Sequence, residues 1–100
     1  MIRIWLDDIR LPPEGWVWVK TSDEAIVALS NANEAGVTIS EMSFDHDLGG
    51  DDTARRVVLW LCEMDVDWPE KVYVHSANPV GCEWLTGMVE RYAPPGTLRR

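Results

Sequence analysis

The chain has 100 residues, 46% of them hydrophobic, enough for one domain with a modest core and too few for two. Its formal charge of −8 and isoelectric point near 4.5 would repel a polyanionic backbone, so no extended nucleic-acid surface built on a Lys/Arg stripe is expected. No apolar run approaches the roughly 18 residues that cross a bilayer, and MIRIWLDD meets two acids too early for a secretory signal, so a soluble cytoplasmic protein is expected.

Ile2 to Leu6 reads as a first strand with Asp7-Asp8 at its tip. Pro12, Pro13 and Gly15 interrupt regular structure before a second short strand over Trp16 to Val19. Thr21-Ser22-Asp23-Glu24 carries a Thr-x-x-Glu capping box, and Ala25, Ala28, Leu29 and Ala32 follow at helical spacing, predicting a helix that ends before Gly36. Val37 to Phe44 contains a third strand, ending at Asp45, and Leu48-Gly49-Gly50 turns out of it. Asp51-Asp52-Thr53 is expected to open a second helix, where acids complement the exposed amides, with Ala54, Val57, Val58, Leu61 and Cys62 as its inner face. After Trp68-Pro69, Lys71 to Val74 forms a fourth strand ending in His75-Ser76-Ala77-Asn78-Pro79. Leu85, Met88, Val89 and Tyr92 mark the buried stripe of a third helix, which Pro94-Pro95-Gly96 stops, leaving Thr97 to Arg100 as a tail or a stub of strand. Cys62 and Cys82 fall in helices without CxxC spacing and are expected as reduced packing residues.

Strands alternating with amphipathic helices predict a single α/β domain over residues 1–100: a parallel sheet with helices on both faces and right-handed crossovers. Ligands in such folds bind beyond the carboxyl ends of the strands. Asp7-Asp8, Asp45-His46-Asp47 and His75 to Asn78 should therefore meet on one rim.

Carboxylates gathered there would repel each other by about 4 kcal/mol per pair at 4 Å for an effective dielectric of roughly 20. A divalent cation removes that cost, and hard oxygen donors suit Mg²⁺ or Mn²⁺, so Asp7, Asp8 and Asp45 are the expected ligands. Asp51 and Asp52 are accounted for by the helix start. An EF-hand is rejected: Asp45, Asp47 and Gly50 fit loop positions 1, 3 and 6, but Gly49 and Arg56 occupy positions 5 and 12, where ligands are required. His75 and His46, the two histidines, both fall on the rim and can exchange protons near neutral pH; His46 serves either there or as a solvated turn residue. Ser76 is better placed to donate to a phosphate than to act as a nucleophile. Asn78 either shapes the turn before Pro79 or binds ligand, and Arg10 either reaches a phosphate or faces solvent. Of the six tryptophans, Trp5, Trp60 and Trp84 read as packing residues, while Trp16 and Trp18 should share one strand face.

WLDDIRLPP, SFDHDLGG and VHSANPVG, in this order, resemble the cyclic-phosphate-processing receiver domains, a branch of the receiver fold, from Leu6 to about Tyr92. The resemblance implies a receiver-like, flavodoxin-like doubly wound sheet of four strands in order 2-1-3-4 with three helices, the fifth strand reduced or absent. It implies Mg²⁺ (or Mn²⁺) on Asp7, Asp8 and Asp45, and handling of a cyclic phosphate, on a nucleotide or an RNA end, by His75, Ser76 and Asn78. The lysine with which receivers grip an acyl phosphate has no match, since Lys20 and Lys71 stand elsewhere. The leading expectation is a metal-dependent phosphoesterase with His75, His46 and Asp45 as catalytic groups and Ser76, Asn78 and Arg10 as phosphate ligands. Two alternatives are a signalling receiver phosphorylated on Asp45 and a non-catalytic ligand-binding or adaptor domain.

Overall fold

The computed structural model describes residues 1–100. Its elements are β1 (Ile2–Leu6), β2 (Val17–Val19), α1 (Ser22–Glu34), β3 (Ile39–Phe44), α2 (Arg55–Glu63), β4 (Lys71–Val74) and α3 (Pro79–Tyr92). The strands form one parallel sheet in the order β2-β1-β3-β4, the receiver-like arrangement expected from the sequence. The fifth strand is reduced to a stub: Val72 N–H donates to Thr97 O and Arg99 N–H to Val72 O, both at 2.8 Å, around a single parallel bridge to Leu98. No helix is long and apolar enough to cross a membrane.

Alternation along the strands decides what is buried. Ile4, Leu6, Val19, Met42, Phe44 and Val72 point to one side and are buried with Leu29, Val57, Val58, Leu61, Leu85 and Val89 from the helices. Arg3, Trp5, Trp18, Glu41 and Tyr73 alternate with them and stay partly exposed on the other side. Right-handed crossovers from β2 to β3 and from β3 to β4 run in the same direction across the sheet, so α1, α2 and α3 share one face, where α1 packs on α2 and α2 on α3. The expected second helical layer is absent. The connection that would build it, between β1 and β2, holds Pro12, Pro13 and a Gly15 at φ +87°, and forms no helix.

The Thr21 cap of α1 forms, with Glu24 N–H donating to Thr21 Oγ1 at 3.1 Å, while the Glu24 carboxylate reaches back one residue further and accepts from Lys20 N–H at 3.4 Å. Asp51 and Asp52, in contrast, do not open α2, which starts at Arg55. Gly49 and Gly50, both at positive φ, turn the chain so that Leu48 N–H donates to Asp52 O at 3.0 Å, and the carboxylate of Asp52 is directed at α1. There it accepts from Ser22 N–H (2.9 Å) and Ser22 Oγ–H (2.6 Å), tying the β3–α2 loop to the start of α1.

Candidate functional site

Each strand tip is fixed by a hydrogen bond that extends the ladder by one residue. Asp7 N–H donates to Val19 O (3.1 Å), Asp45 N–H to Leu6 O (2.9 Å) and His75 N–H to Phe44 O (3.0 Å). The carboxyl ends of β1, β3 and β4 are thus held in register, and one carboxylate oxygen from each of Asp7, Asp8 and Asp45 lies within 4.8 Å of the others. The cluster borders an open cleft of about 410 Å³, within the range of small-molecule sites. Arg10, Asp47, Gly49, Ser76 and Asn78 also line it, and its apolar walls are Ile9 and Ala77.

Asp7 is only 1% exposed and is held on both oxygens. Its Oδ1 accepts from Ile9 N–H at 2.9 Å and Arg10 N–H at 2.8 Å, and its Oδ2 faces His75 Nε2 at 2.9 Å. Burial alone would raise its pKa; the two amides and the His75 ring outweigh burial and hold the carboxyl below the usual carboxylate value. Asp45 moves the other way, pushed up by burial first and by the charge of Asp7 second, against opposing effects of His75 and the Ser76 hydroxyl. Hard oxygens this close, one ionised and one resisting ionisation, are a donor set that a divalent cation could take. Asp8 depends on a glycine: a Cβ on Gly49, whose φ is +90°, would stand 3.2 Å from Asp8 Oδ2.

The loop after β1 is shaped by two indoles from the helix-free face. Trp5 and Trp18 are register partners on β1 and β2; Trp18 Nε1–H donates to Asp7 O at 2.7 Å, and Trp5 Nε1–H to Arg10 O at 3.0 Å. Trp16 meets Trp5 edge-on, with ring centroids 5.9 Å apart. Arg10 crosses the rim and donates from Nη1 to the main-chain oxygen of His75 at 2.7 Å, which leaves further guanidinium N–H donors beside the cleft.

Neither histidine lines the cleft. His75 stacks on Trp5 with centroids 3.9 Å apart and planes within 8°, and its Nδ1 lies 2.6 Å from Ser43 Oγ. Burial pushes its pKa down, against the raising influence of Asp7 and Asp45. His46 is 5% exposed; Arg55 Nε–H donates to its Nε2 at 2.8 Å and its Nδ1 faces Asp47 Oδ1 at 3.0 Å. The ring packs under the first turn of α3, so close that a Cβ on Gly81 would stand 2.4 Å from His46 Cγ.

Asn78 shapes the turn into α3, the first of the two roles open to it from the sequence. Its Oδ1 caps α3 by accepting from Gly81 N–H at 3.0 Å, and its Nδ2 donates to Asp47 Oδ2 at 3.1 Å on the cleft wall. Asn78 first and His46 second hold the Asp47 carboxyl below its usual value. Ser76 Oγ accepts from Asn78 N–H at 3.1 Å. Sequence reading missed Ser43, Gly49, Trp5 and Trp18 as parts of this site. Ser43 had one signal: a small polar residue, 3% exposed here, amid apolar neighbours on a central strand.

Residues 2–91 match the family model of the cyclic-phosphate processing receiver domain. No curated protein and no solved structure matches the chain.

Proposed function

We propose that this chain, which belongs to the cyclic-phosphate processing receiver domain family, binds a cyclic phosphate beside a divalent cation at the carboxyl rim of its sheet and opens the ring by hydrolysis. The observation that carries this reading is the convergence of Asp7, Asp8 and Asp45 within 4.8 Å, in a cleft shared with Arg10, Ser76 and Asn78. The three carboxylates fit Mg²⁺ or Mn²⁺, and such an ion, when bound, supplies charge neutralisation and Lewis acidity toward a phosphoryl group. Arg10 and the Ser76 hydroxyl bind the phosphate oxygens, and Asn78 offers its second Nδ2 hydrogen. In the reaction a water oxygen bonds to phosphorus and releases one proton to solvent at the open rim, one ring P–O bond breaks, and the departing oxygen takes up one proton from that solvent, giving a phosphate monoester. The substrate is the cyclic phosphate of a nucleotide or of an RNA end.

Phosphoryl acceptance at Asp45 fits less well. No lysine lines the cleft: Lys20 Nζ lies 4.3 Å from the centre of the Trp18 ring, and Lys71 begins β4 at the far end of the strand from the rim.

Incubation with 2′,3′-cyclic and 3′,5′-cyclic nucleotides and Mg²⁺ or Mn²⁺, followed by mass spectrometry, tests the reading. Metal-dependent ring opening that is lost in Asp45→Asn supports it. Binding with the ligand recovered unchanged would favour the adaptor alternative, and a phosphoprotein formed from small acyl-phosphate donors would favour the receiver alternative.

A further inference from the structure

Both ring nitrogens of His75 are taken, one by the buried carboxylate of Asp7 at the cleft floor and the other by Ser43 behind it, and the ring itself does not line the cleft. A carboxylate accepts only, so Asp7 Oδ2 at 2.9 Å places the ring proton on Nε2, and Nδ1 then accepts from the Ser43 hydroxyl at 2.6 Å. Ser43 is 3% exposed and Asp7 is 1% exposed, so this chain of hydrogen bonds runs through the interior of the rim. Trp5, parallel to the ring at 3.9 Å, fixes its plane and blocks rotation. The main-chain oxygen of His75 holds Arg10 at 2.7 Å, so the same residue orients an acid of the metal cluster and the cation facing the phosphate.

We infer that His75 is a positioning residue, which with Ser43 behind it and Trp5 against its face orients Asp7 toward a divalent cation, and that it is not the proton donor to the phosphate ester. The inference rests on the metal reading of the cluster. A histidine aimed at a departing oxygen needs a ring nitrogen on the cleft, and this one presents its donor to a buried carboxylate. Groups that orient a metal ligand change metal affinity by about 10–100-fold when removed.

The test compares wild type with His75→Gln, His75→Ala and Ser43→Ala by Mn²⁺ titration calorimetry and by the pH profile of cyclic-nucleotide hydrolysis at saturating Mn²⁺. Glutamine places an amide N–H where Nε2–H stands but cannot exchange a proton near neutrality. The expected result is a Kd for Mn²⁺ within about threefold of wild type in His75→Gln and weakened about tenfold or more in His75→Ala, with Ser43→Ala in between. In His75→Gln, kcat and the shape of the pH profile stay close to wild type once Mn²⁺ saturates. Near-UV circular dichroism identifies any variant that fails to fold, in which case Ser43→Ala against wild type decides. Unchanged Mn²⁺ affinity in the folded His75→Ala and Ser43→Ala proteins would overturn the inference. So would a His75→Gln protein that binds Mn²⁺ normally yet loses kcat as far as His75→Ala with one limb of the pH profile gone. Absence of Mn²⁺ binding by wild type is a distinct result, and removes the metal reading itself.

Discussion

The His46 ring fills the space in which a side chain on Gly81 would lie, with Cγ 2.4 Å from the ideal Cβ position. This contact seats the first turn of α3 on the β3 tip, and so aligns Asn78, the cap of that helix, with Asp47 on the cleft wall. Shape complementarity at a site with no metal ligand of its own therefore sets part of the rim.

Gly81→Ala should destabilise the fold. Alanine gains at most about 1 kcal/mol of helix propensity, against overpacking of about 1–3 kcal/mol beside a buried ring. Thermal unfolding should show a midpoint several degrees below wild type, at about 4–8 °C per kcal/mol for a domain of this size.

Gly49→Ala places a Cβ 3.2 Å from Asp8 Oδ2 at a backbone φ of +90°. Strain of about 1–3 kcal/mol is expected at such a position, together with displacement of the carboxylate. Mn²⁺ titration should give an affinity at least about threefold weaker, beyond what the lowered midpoint explains.

Asp45 is held above its ordinary pKa by burial first and by Asp7 second. A group whose pKa is raised on folding favours the fold at acid pH and opposes it as pH climbs through the raised value. At neutral pH without metal, Asp45→Asn should therefore melt above wild type, by about 2–5 °C. Saturating Mg²⁺ should reverse the order, because wild type gains binding energy that the variant lacks.

His75 carries the opposite sign, since burial pushes its pKa below 6.5. The unfolded chain then takes up the proton first, so stability is complete above the unfolded pKa and declines as pH falls from there through the lower folded value. Melting of the metal-free protein should drop between about pH 7 and 5, and His75→Gln should flatten that part of the curve.

Much of this architecture was legible because β1, β3 and β4 end where apolar residues give way to acids or to HSAN, which places the chemical residues on one rim once strand order is assigned. The Thr21–Glu24 cap was legible for a local reason, four consecutive residues containing both partners. What stayed hidden depends on packing between distant segments. Asp52 read as a helix-opening acid, and two glycines redirect it to Ser22, thirty positions earlier. The histidines read as rim acid–base groups, yet their ring directions are set by Trp5, Ser43, Arg55 and Gly81, whose proximity only the register reveals. The single helical layer follows from two prolines that deprive β1 and β2 of a helical connection, a feature visible in the sequence but decisive only with the strand order known.

The central claim, that Asp7, Asp8 and Asp45 share one divalent cation, is tested most directly by Mg²⁺ and Mn²⁺ calorimetry on wild type, Asp8→Asn and Asp45→Asn. One ion per chain is expected for wild type, with affinity lowered at least tenfold in each variant, a loss of about 1.4 kcal/mol or more. Equal affinity in all three proteins, or no binding by wild type at millimolar metal, would contradict it.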